Sequence, residues 1–372
     1  MRAFVGYAER SDPTLAGRLA AAAASGPIGR KAVRTLILFA IGPHASSAEQ
    51  VAEGAQEHCP DASIAVVGGA GAMVPEGEMQ GIGAVVALAL RSPSKADVCD
   101  EGEIKELGAT LHHRPARPTL FFGRRSLSPE RLATLEETSG AWALAGGAVD
   151  PAASLAVGDP AEGEEDPGGV RHGALLGIRI DGGLRMAIET SVAVHPIGPP
   201  RKVTEVDGGY VLRLDGHPPL SLLGRAVEDR DDRPLVLVRW QPEDAPAPLV
   251  RGIGGLDPQR GAVFVGPDVK VGDQLEFCVP DAQAGRDDLR SALDRVKAGV
   301  FGGIPVAAIV IESVGRGVRL HGKPHVDART LRRELGDVPF VGVRTTQEIV
   351  RAGDELRIAG HTMVVALLFA PS

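Results

Sequence analysis

The segment Ser313-Val314-Gly315-Arg316-Gly317 closes an apolar run and offers the most explicit ligand-binding chemistry in the chain. Glycines at a strand end let backbone amides approach a bound group, and an arginine beside them presents a planar fork to a carboxylate or phosphate. Gly68-Gly69 and Gly146-Gly147 end two other apolar runs in the same way. Such strand tips, brought together at the carboxyl ends of α/β sheets, would surround a binding cleft; the plainer alternative is that the glycines only turn the chain. Glu348 follows Thr345, Thr346 and Gln347 at a further strand end and suits a ligand anchor or a base, although no nucleophile stands beside it. Arg251-Gly252-Ile253-Gly254-Gly255 is also glycine-rich, but it lacks the GxGxxG order with a following helix, which favours a tight turn. The ligand-binding candidates are therefore Arg316, Glu348, Ser313, Gly315, Gly317, Gly68, Gly69 and Arg251.

Metal and nucleophile chemistry has thinner support. His321 and His325 lie either side of Pro324 with Asp327 close by, a spacing that suits a metal, but no further ligands follow to complete a shell. His195, before Pro196-Ile197-Gly198-Pro199-Pro200, is the candidate for haem or another metal; the alternative is a loop histidine packed by prolines. His112-His113 reads as an exposed loop. No nucleophile elbow, HExxH or Walker loop occurs, and Cys59, Cys99 and Cys278 form no CxxC pair. No cofactor is expected, with haem as the alternative.

A recurring pattern positions these residues. Strand, helix, strand, long loop and strand follow one another three times: 35–41, 46–59, 63–69 and 83–90; then 118–123, 128–140, 142–148 and 173–180; then 306–313, 327–336, 339–345 and 362–369. Ser46 with Glu49, and Ser128 with Pro129 and Gly140, mark helix ends. The apolar runs predict strands covered on both faces. A helix is expected over 13–24. Between the second and third copies the pattern changes to strands over 185–194, 210–216, 235–240, 262–266 and 273–279, then a helix over 287–299. The stretches 158–169, 227–234 and 242–248 read as exposed connections. The expected fold class is α/β, with mixed sheets built from recurring β-α-β-β units in two intimately packed domains, 1–223 and 224–372.

Composition narrows the function. A formal net charge of -8 and 3% aromatics argue against a nucleic-acid partner, which needs a basic face and stacking platforms. No stretch approaches a membrane span and the N-terminus lacks a signal core, so a cytoplasmic protein without membrane insertion is expected.

Several segments together resemble the FIST family: LILFAIGPH (36–44), VVGG (66–69), PIGPPRKVTEVDGGYVLRLDG (196–216), LVRGIGGLD (249–257), FCVPDAQAGRDDL (277–289), SVGRG (313–317), VPFVGVRTTQEI (338–349) and HTMVVALLF (361–369). The resemblance runs from about residue 35 to the C-terminus. It implies a sensory protein that binds a small ligand, an amino acid or another small anion. It also implies signalling through a separate protein partner such as a kinase. One branch of the family resembles haem-binding regulators, and eukaryotic relatives serve in ubiquitin-ligase subunits. The chain departs from the family pattern at Gly69 and Ser313, where cysteines are usual, at Pro280, where arginine is usual, and at Gln347, where glycine is usual. Losing both thiols counts against redox or thiol chemistry there. The reading is a ligand-sensing or protein-contact module and not an enzyme; the alternatives are a haem or metal sensor, an interaction scaffold with a vestigial pocket, and an amidohydrolase-like enzyme.

Overall fold

The computed structural model describes residues 3–124, 127–160, 169–228, 234–245 and 247–372. The first repeat is larger than its expected core. It comprises β1 (Ala3–Glu9), α1 (Pro13–Ser25), β2 (Thr35–Ile41), α2 (Ala48–His58), β3 (Ser63–Gly69), the hairpin β4 (Gly71–Val74) and β5 (Gly77–Gln80), and β6 (Ala84–Leu90). The second follows the same plan with β7 (Ser94–Cys99), α3 (Ile104–Leu111), β8 (Thr119–Gly123), α4 (Pro129–Ser139), β9 (Leu144–Ala148), the hairpin β10 (Leu155–Asp159) and β11 (Gly169–Gly173), and β12 (Leu175–Ile180).

The third opens with β13 (Arg185–Val192) and is interrupted by a separate module. That module holds β14 (Val194–Pro196), β15 (Arg201–Asp207), β16 (Tyr210–Leu214), α5 (Pro219–Val227), β17 (Leu237–Gln241), β18 (Leu249–Gly252), β19 (Gly255–Asp257), β20 (Ala262–Phe264) and β21 (Gln274–Pro280). The third repeat then resumes with α6 (Ala282–Ala298), β22 (Ile304–Ser313), α7 (Val318–His321), α8 (Val326–Leu335), β23 (Phe340–Thr345), the hairpin β24 (Gln347–Ala352) and β25 (Glu355–Ala359), and β26 (Thr362–Ala370). Position 223/224 falls inside α5.

Each repeat builds its own six-stranded sheet in one common order: β1-β6-β2-β3-β10-β11, β7-β12-β8-β9-β24-β25 and β13-β26-β22-β23-β4-β5. In each, the two strands joined by a helix run parallel, in registers Thr35↔Ser63, Thr119↔Leu144 and Ala308↔Phe340. The hairpins are exchanged: β4 of the first repeat pairs with β23 of the third, β10 of the second with β3 of the first, and β24 of the third with β9 of the second. The module adds an eight-stranded antiparallel sheet.

Strand alternation explains the apolar runs. Along β2, Leu36, Leu38 and Ala40 face α1 and α2, while Ile37, Phe39 and Ile41 face inward. Their counterparts Leu120 and Phe122 on β8, and Ile309 and Ile311 on β22, join them in one central core, where Phe39 and Phe122 meet edge to face at 6.3 Å. The outer faces of the other two sheets are covered by α3 with α4 and by α6 with α8.

The α/β class and the recurring unit stand as expected, with four corrections. Ser46 does not cap a helix: it ends a 3-10 turn over Gly42–Ser46, α2 starts at Ala48, and the Ala48 amide donates to Ser154 Oγ of the second repeat at 2.8 Å. The helix expected at 287 begins at Ala282, because Asp281 accepts from the Ala284 amide at 2.6 Å. Leu155–Asp159 is a strand that runs into the start of the expected exposed connection. The first strand and the hairpin of each repeat are additional to the expected unit. Of the expected connections, 161–168, 229–233 and Pro246 lie outside the described residues.

Candidate functional site

The glycine breaks mark where the exchanged hairpins cross. A side chain at Gly68 would strike the Ala45 carbonyl and lie 2.9 Å from the Ser154 carbonyl; at Gly69 it would strike Val343; at Gly147, the Gln347 carbonyl. At Gly146 it would strike the Phe121 carbonyl within its own sheet. The strand tips do meet, but backbone and Val343 fill the space beside them. A cleft ringed by Gly68, Gly69 and Gly146 is therefore absent, and Gly68 and Gly69 face neighbouring strands. Close approach of a neighbouring backbone explains Gly68, Gly146 and Gly147, and the Val343 side chain explains Gly69.

Behind the tips lies a buried ionic core. Arg316 donates to Asp327 from Nη2 at 3.2 Å and from Nε at 3.4 Å, and to the Ser191 carbonyl at 3.3 Å. With its side chain 1% exposed, this guanidinium has its fork committed inside the protein. Gly317 takes φ 63, and any side chain there would collide with the Arg344 guanidinium. Arg344 donates to Glu312 Oε2 at 2.6 Å, to Glu78 Oε2 at 2.8 Å and to Gln80 Oε1 at 2.9 Å, so the exchanged strand β5 is clamped onto β22 and β23. His325 Nδ1 accepts the Glu78 amide at 2.9 Å. His321 Nε2 lies 3.0 Å from Asp327 Oδ1. Among the described residues, no group of three or more His, Cys, Asp or Glu is arranged to hold a metal.

Burial sets the protonation of this core. It pushes Glu312 up to about 8 against the pull of Arg344, and Glu312 Oε1 has no partner among the described residues. It pushes Glu348, fully enclosed, well above the carboxylate range, although Thr345 Oγ1 donates to it at 3.0 Å and the Thr362 amide at 3.3 Å. Burial would raise Asp327 as well, but the Arg316 guanidinium, helped by His321, outweighs it and holds that carboxyl low.

In front of this core lies a cavity of about 540 Å³. Its walls come from the module (Arg251–Gly254 and Phe264–Asp268), from the third repeat (Ser313–Gly315, Arg319, Thr346–Gln347 and Ile358–His361) and from Leu127 and Pro129 at the start of α4. The volume suits a small-molecule site, and the wall combines apolar surface with few polar groups. Arg251 is fixed on three sides. It donates to Asp268 Oδ1 and Oδ2 at 2.5 and 2.8 Å and to the Ile358 carbonyl at 2.8 Å, and it stacks 4.2 Å over Trp240. Burial would raise Asp268, and the Arg251 pairing overcomes it.

Ser313 Oγ accepts the amides of His361 at 3.0 Å and Gly315 at 3.3 Å, so its hydroxyl braces two loops. No basic side chain bonds to it among the described residues. His361 adopts φ 53, a left-handed conformation unusual for a side chain with a Cβ, and its ring occupies the place a side chain at Gly315 would need. Burial pushes its imidazole down, toward the neutral form. No side-chain hydrogen bond satisfies that ring among the described residues, and Gln347 Oε1 is buried without a partner.

Of the sequence candidates, Ser313, Gly315 and Arg251 line the cavity; Arg316, Gly317 and Glu348 belong to the packed core behind it. His195 is exposed on β14, opposite Val279, and lies away from the cavity wall. Sequence reasoning missed His361, Gln347 and Arg319 as wall residues. For His361 and Gln347 the only local signal was position beside an apolar run; Arg319, in α7, carried none.

Comparison with known proteins gives matches over most of the chain. A family model described as the FIST N domain matches residues 35–217, and one described as the FIST C domain matches residues 220–351. An uncharacterized protein of Mycobacterium tuberculosis is 34% identical over 205 residues, 52% of this chain and 53% of its own length. An uncharacterized protein of Mycobacterium bovis is 33% identical over the same extent, 52% and 53%. The chain spans about half the length of the curated relatives it matches.

Proposed function

The chain belongs to the FIST family, which is associated with signal transduction and small-ligand sensing, and from that premise we propose that it is a ligand sensor whose site is the cavity between the inserted module and the third repeat. One observation carries the reading: a cavity of about 540 Å³, walled largely by apolar surface, includes the His361 imidazole, which makes no side-chain hydrogen bond among the described residues. A concave, mostly apolar site with a few polar groups suits a small molecule, and an imidazole without a protein partner can meet one there.

The ligand bridges the module and the sheets, so its arrival changes how firmly the two are held, and a separate protein such as a kinase reads that change. Its setting is the cytoplasm, in keeping with three free cysteines. No helix among the described residues is long and apolar enough to cross a membrane.

A thermal-shift screen of amino acids, organic acids and other metabolites tests the site. A true ligand at 100 times its dissociation constant stabilises by about 2.7 kcal/mol. Gly252→Leu and Gly360→Leu each project into open space, since a Cβ at either position meets nothing within 4 Å. Both variants keep the unliganded melting temperature and lose the ligand shift. A shift that survives both moves the site elsewhere. If no metabolite shifts the wild type, the scaffold reading replaces this one.

A further inference from the structure

Charge on the cavity wall narrows the ligand. Among the described residues, four wall side chains can carry charge: Arg251, Asp268, Arg319 and His361. Two of them cancel. Both Asp268 oxygens accept from Arg251, and Arg357 stands 4.0 Å away as a second cation. An incoming ammonium would have to displace Arg251 from that carboxylate and leave its guanidinium unpaired against Trp240. The carboxyls nearest behind the wall, Glu348 and Glu312, are sealed in the core. Burial disfavours a charge on His361.

Arg319 is different. It is exposed at the mouth of the cavity and has no carboxylate partner among the described residues. Among the described residues the wall therefore carries one unopposed positive charge and no free negative one. Leu127, Ile253, Phe264 and Ile358 supply apolar surface.

We infer that the cavity takes a small organic monoanion with an apolar body and no ammonium group, its carboxylate meeting Arg319 at the mouth. This rests on the ligand-sensor reading and sharpens it, because it separates simple carboxylic acids from α-amino acids of the same shape. A single guanidinium matches one carboxylate; a phosphate ester carries more charge than this wall opposes.

Isothermal titration of the full chain with isosteric sets decides the matter. One set is hydrocinnamate, hydrocinnamide, phenylalanine and phenylpropylamine; another is isocaproate, isocaproamide, leucine and isohexylamine. The carboxylate binds best in each set, and the amine and the amino acid bind at least about tenfold more weakly, the scale of one charge-assisted hydrogen bond. Arg319→Ala weakens the carboxylate by about the same factor and leaves the amide unchanged, Arg319→Lys retains most of the affinity, and added salt reduces it. Amide or amino acid binding as tightly as the carboxylate, and blocked by Gly360→Leu, overturns the charge inference and leaves the cavity as the site. Carboxylate binding indifferent to Arg319→Ala also overturns it. If no member binds, the charge inference falls, and the sensor reading is decided separately by the wider metabolite screen.

Discussion

Gly69→Cys tests whether the glycine break is set by the crossing of two repeats. The family usually carries cysteine at this place, and here Val343 from the third repeat occupies it: a Cβ on Gly69 would run into Val343 Cγ2, with the Arg344 carbonyl 3.3 Å away. Val343 is 1% exposed and, being β-branched, cannot swing its methyl aside. Gly69 does not hold a left-handed backbone, so the cost is steric. Forcing side-chain atoms into a packed core costs about 1–3 kcal/mol. Reduced freedom of the unfolded chain returns about 0.4–1 kcal/mol, leaving a loss of about 1–2 kcal/mol. Val343→Ala alone removes two methyl groups from the core and costs about 2 kcal/mol with its cavity. Independent effects would sum to about 3–4 kcal/mol. In the double variant the thiol introduced by Gly69→Cys fills the space vacated by Val343→Ala, so the pair loses only about 1–2 kcal/mol and the coupling is about 2 kcal/mol. Urea unfolding of the four proteins, with similar slopes across the set, measures the cycle. Additivity within about 0.5 kcal/mol would refute the argument that Val343 and a side chain at position 69 compete for one volume.

Two further outcomes follow from the buried core. Glu348 has a raised folded-state pKa, so the stability it provides as a neutral acid is complete below its ordinary value of 4.5 and is lost as pH rises toward the folded value. Glu348→Gln keeps the shape and removes that loss, so melting temperatures followed across neutral and alkaline pH show the variant gaining on the wild type as pH rises; the same sign from Glu312, ending near about 8, remains in both proteins. A constant difference at every pH would contradict a neutral Glu348. Arg344→Met leaves Glu78 and Glu312 facing each other without their shared cation and costs about 3–5 kcal/mol, recovered in part by adding Glu78→Gln and Glu312→Gln. A loss under about 1 kcal/mol in urea unfolding would show that the cluster is not what clamps β5 to β22 and β23.

The repeat cores were legible because their burial is local and complete. β2 is apolar at nearly every position and buried at every position, and α4 carries its own start and stop in Ser128, Pro129 and Gly140. The hairpins were not legible, because what buries β4 is a strand of the third repeat, in register Gly342↔Met73, and periodicity within a segment carries no sign of that. Arg316 shows the same limit for chemistry. Its residue type and setting pointed to an anion site, but the anion is the protein's own Asp327, eleven positions along and folded back against it. Arg251 was recognisable as a candidate, yet its partner Asp268 and its stacking on Trp240 depend on the module's sheet. His361 carries no motif at all; its importance comes from lacking a partner among the described residues.

The near-threefold plan explains why the proposed site would arise at one repeat and not at all three. Each repeat brings the residues after its first core strand beside those before its last. In the first repeat these are His44 and Gly83, with His44 Nε2 3.0 Å from the place of a Gly83 Cβ and bonded to the Arg10 carbonyl at 2.6 Å. The imidazole is satisfied within its own repeat. In the second repeat the Arg124 amide donates to the Ala174 carbonyl at 2.9 Å, a backbone closure. In the third the residue types are interchanged, with Gly315 after β22 and His361 before β26, and the imidazole is left without a partner among the described residues. That same repeat is the one split by the module, whose residues Arg251–Gly254 and Phe264–Asp268 wall off the space in front of His361. An unmet polar group in open solvent would simply be hydrated; the same group enclosed by an added module has its hydration restricted, and only then does a bound molecule gain from meeting it. On the proposed reading, the insertion and the unpartnered histidine are therefore two halves of one device, and neither would make a site alone.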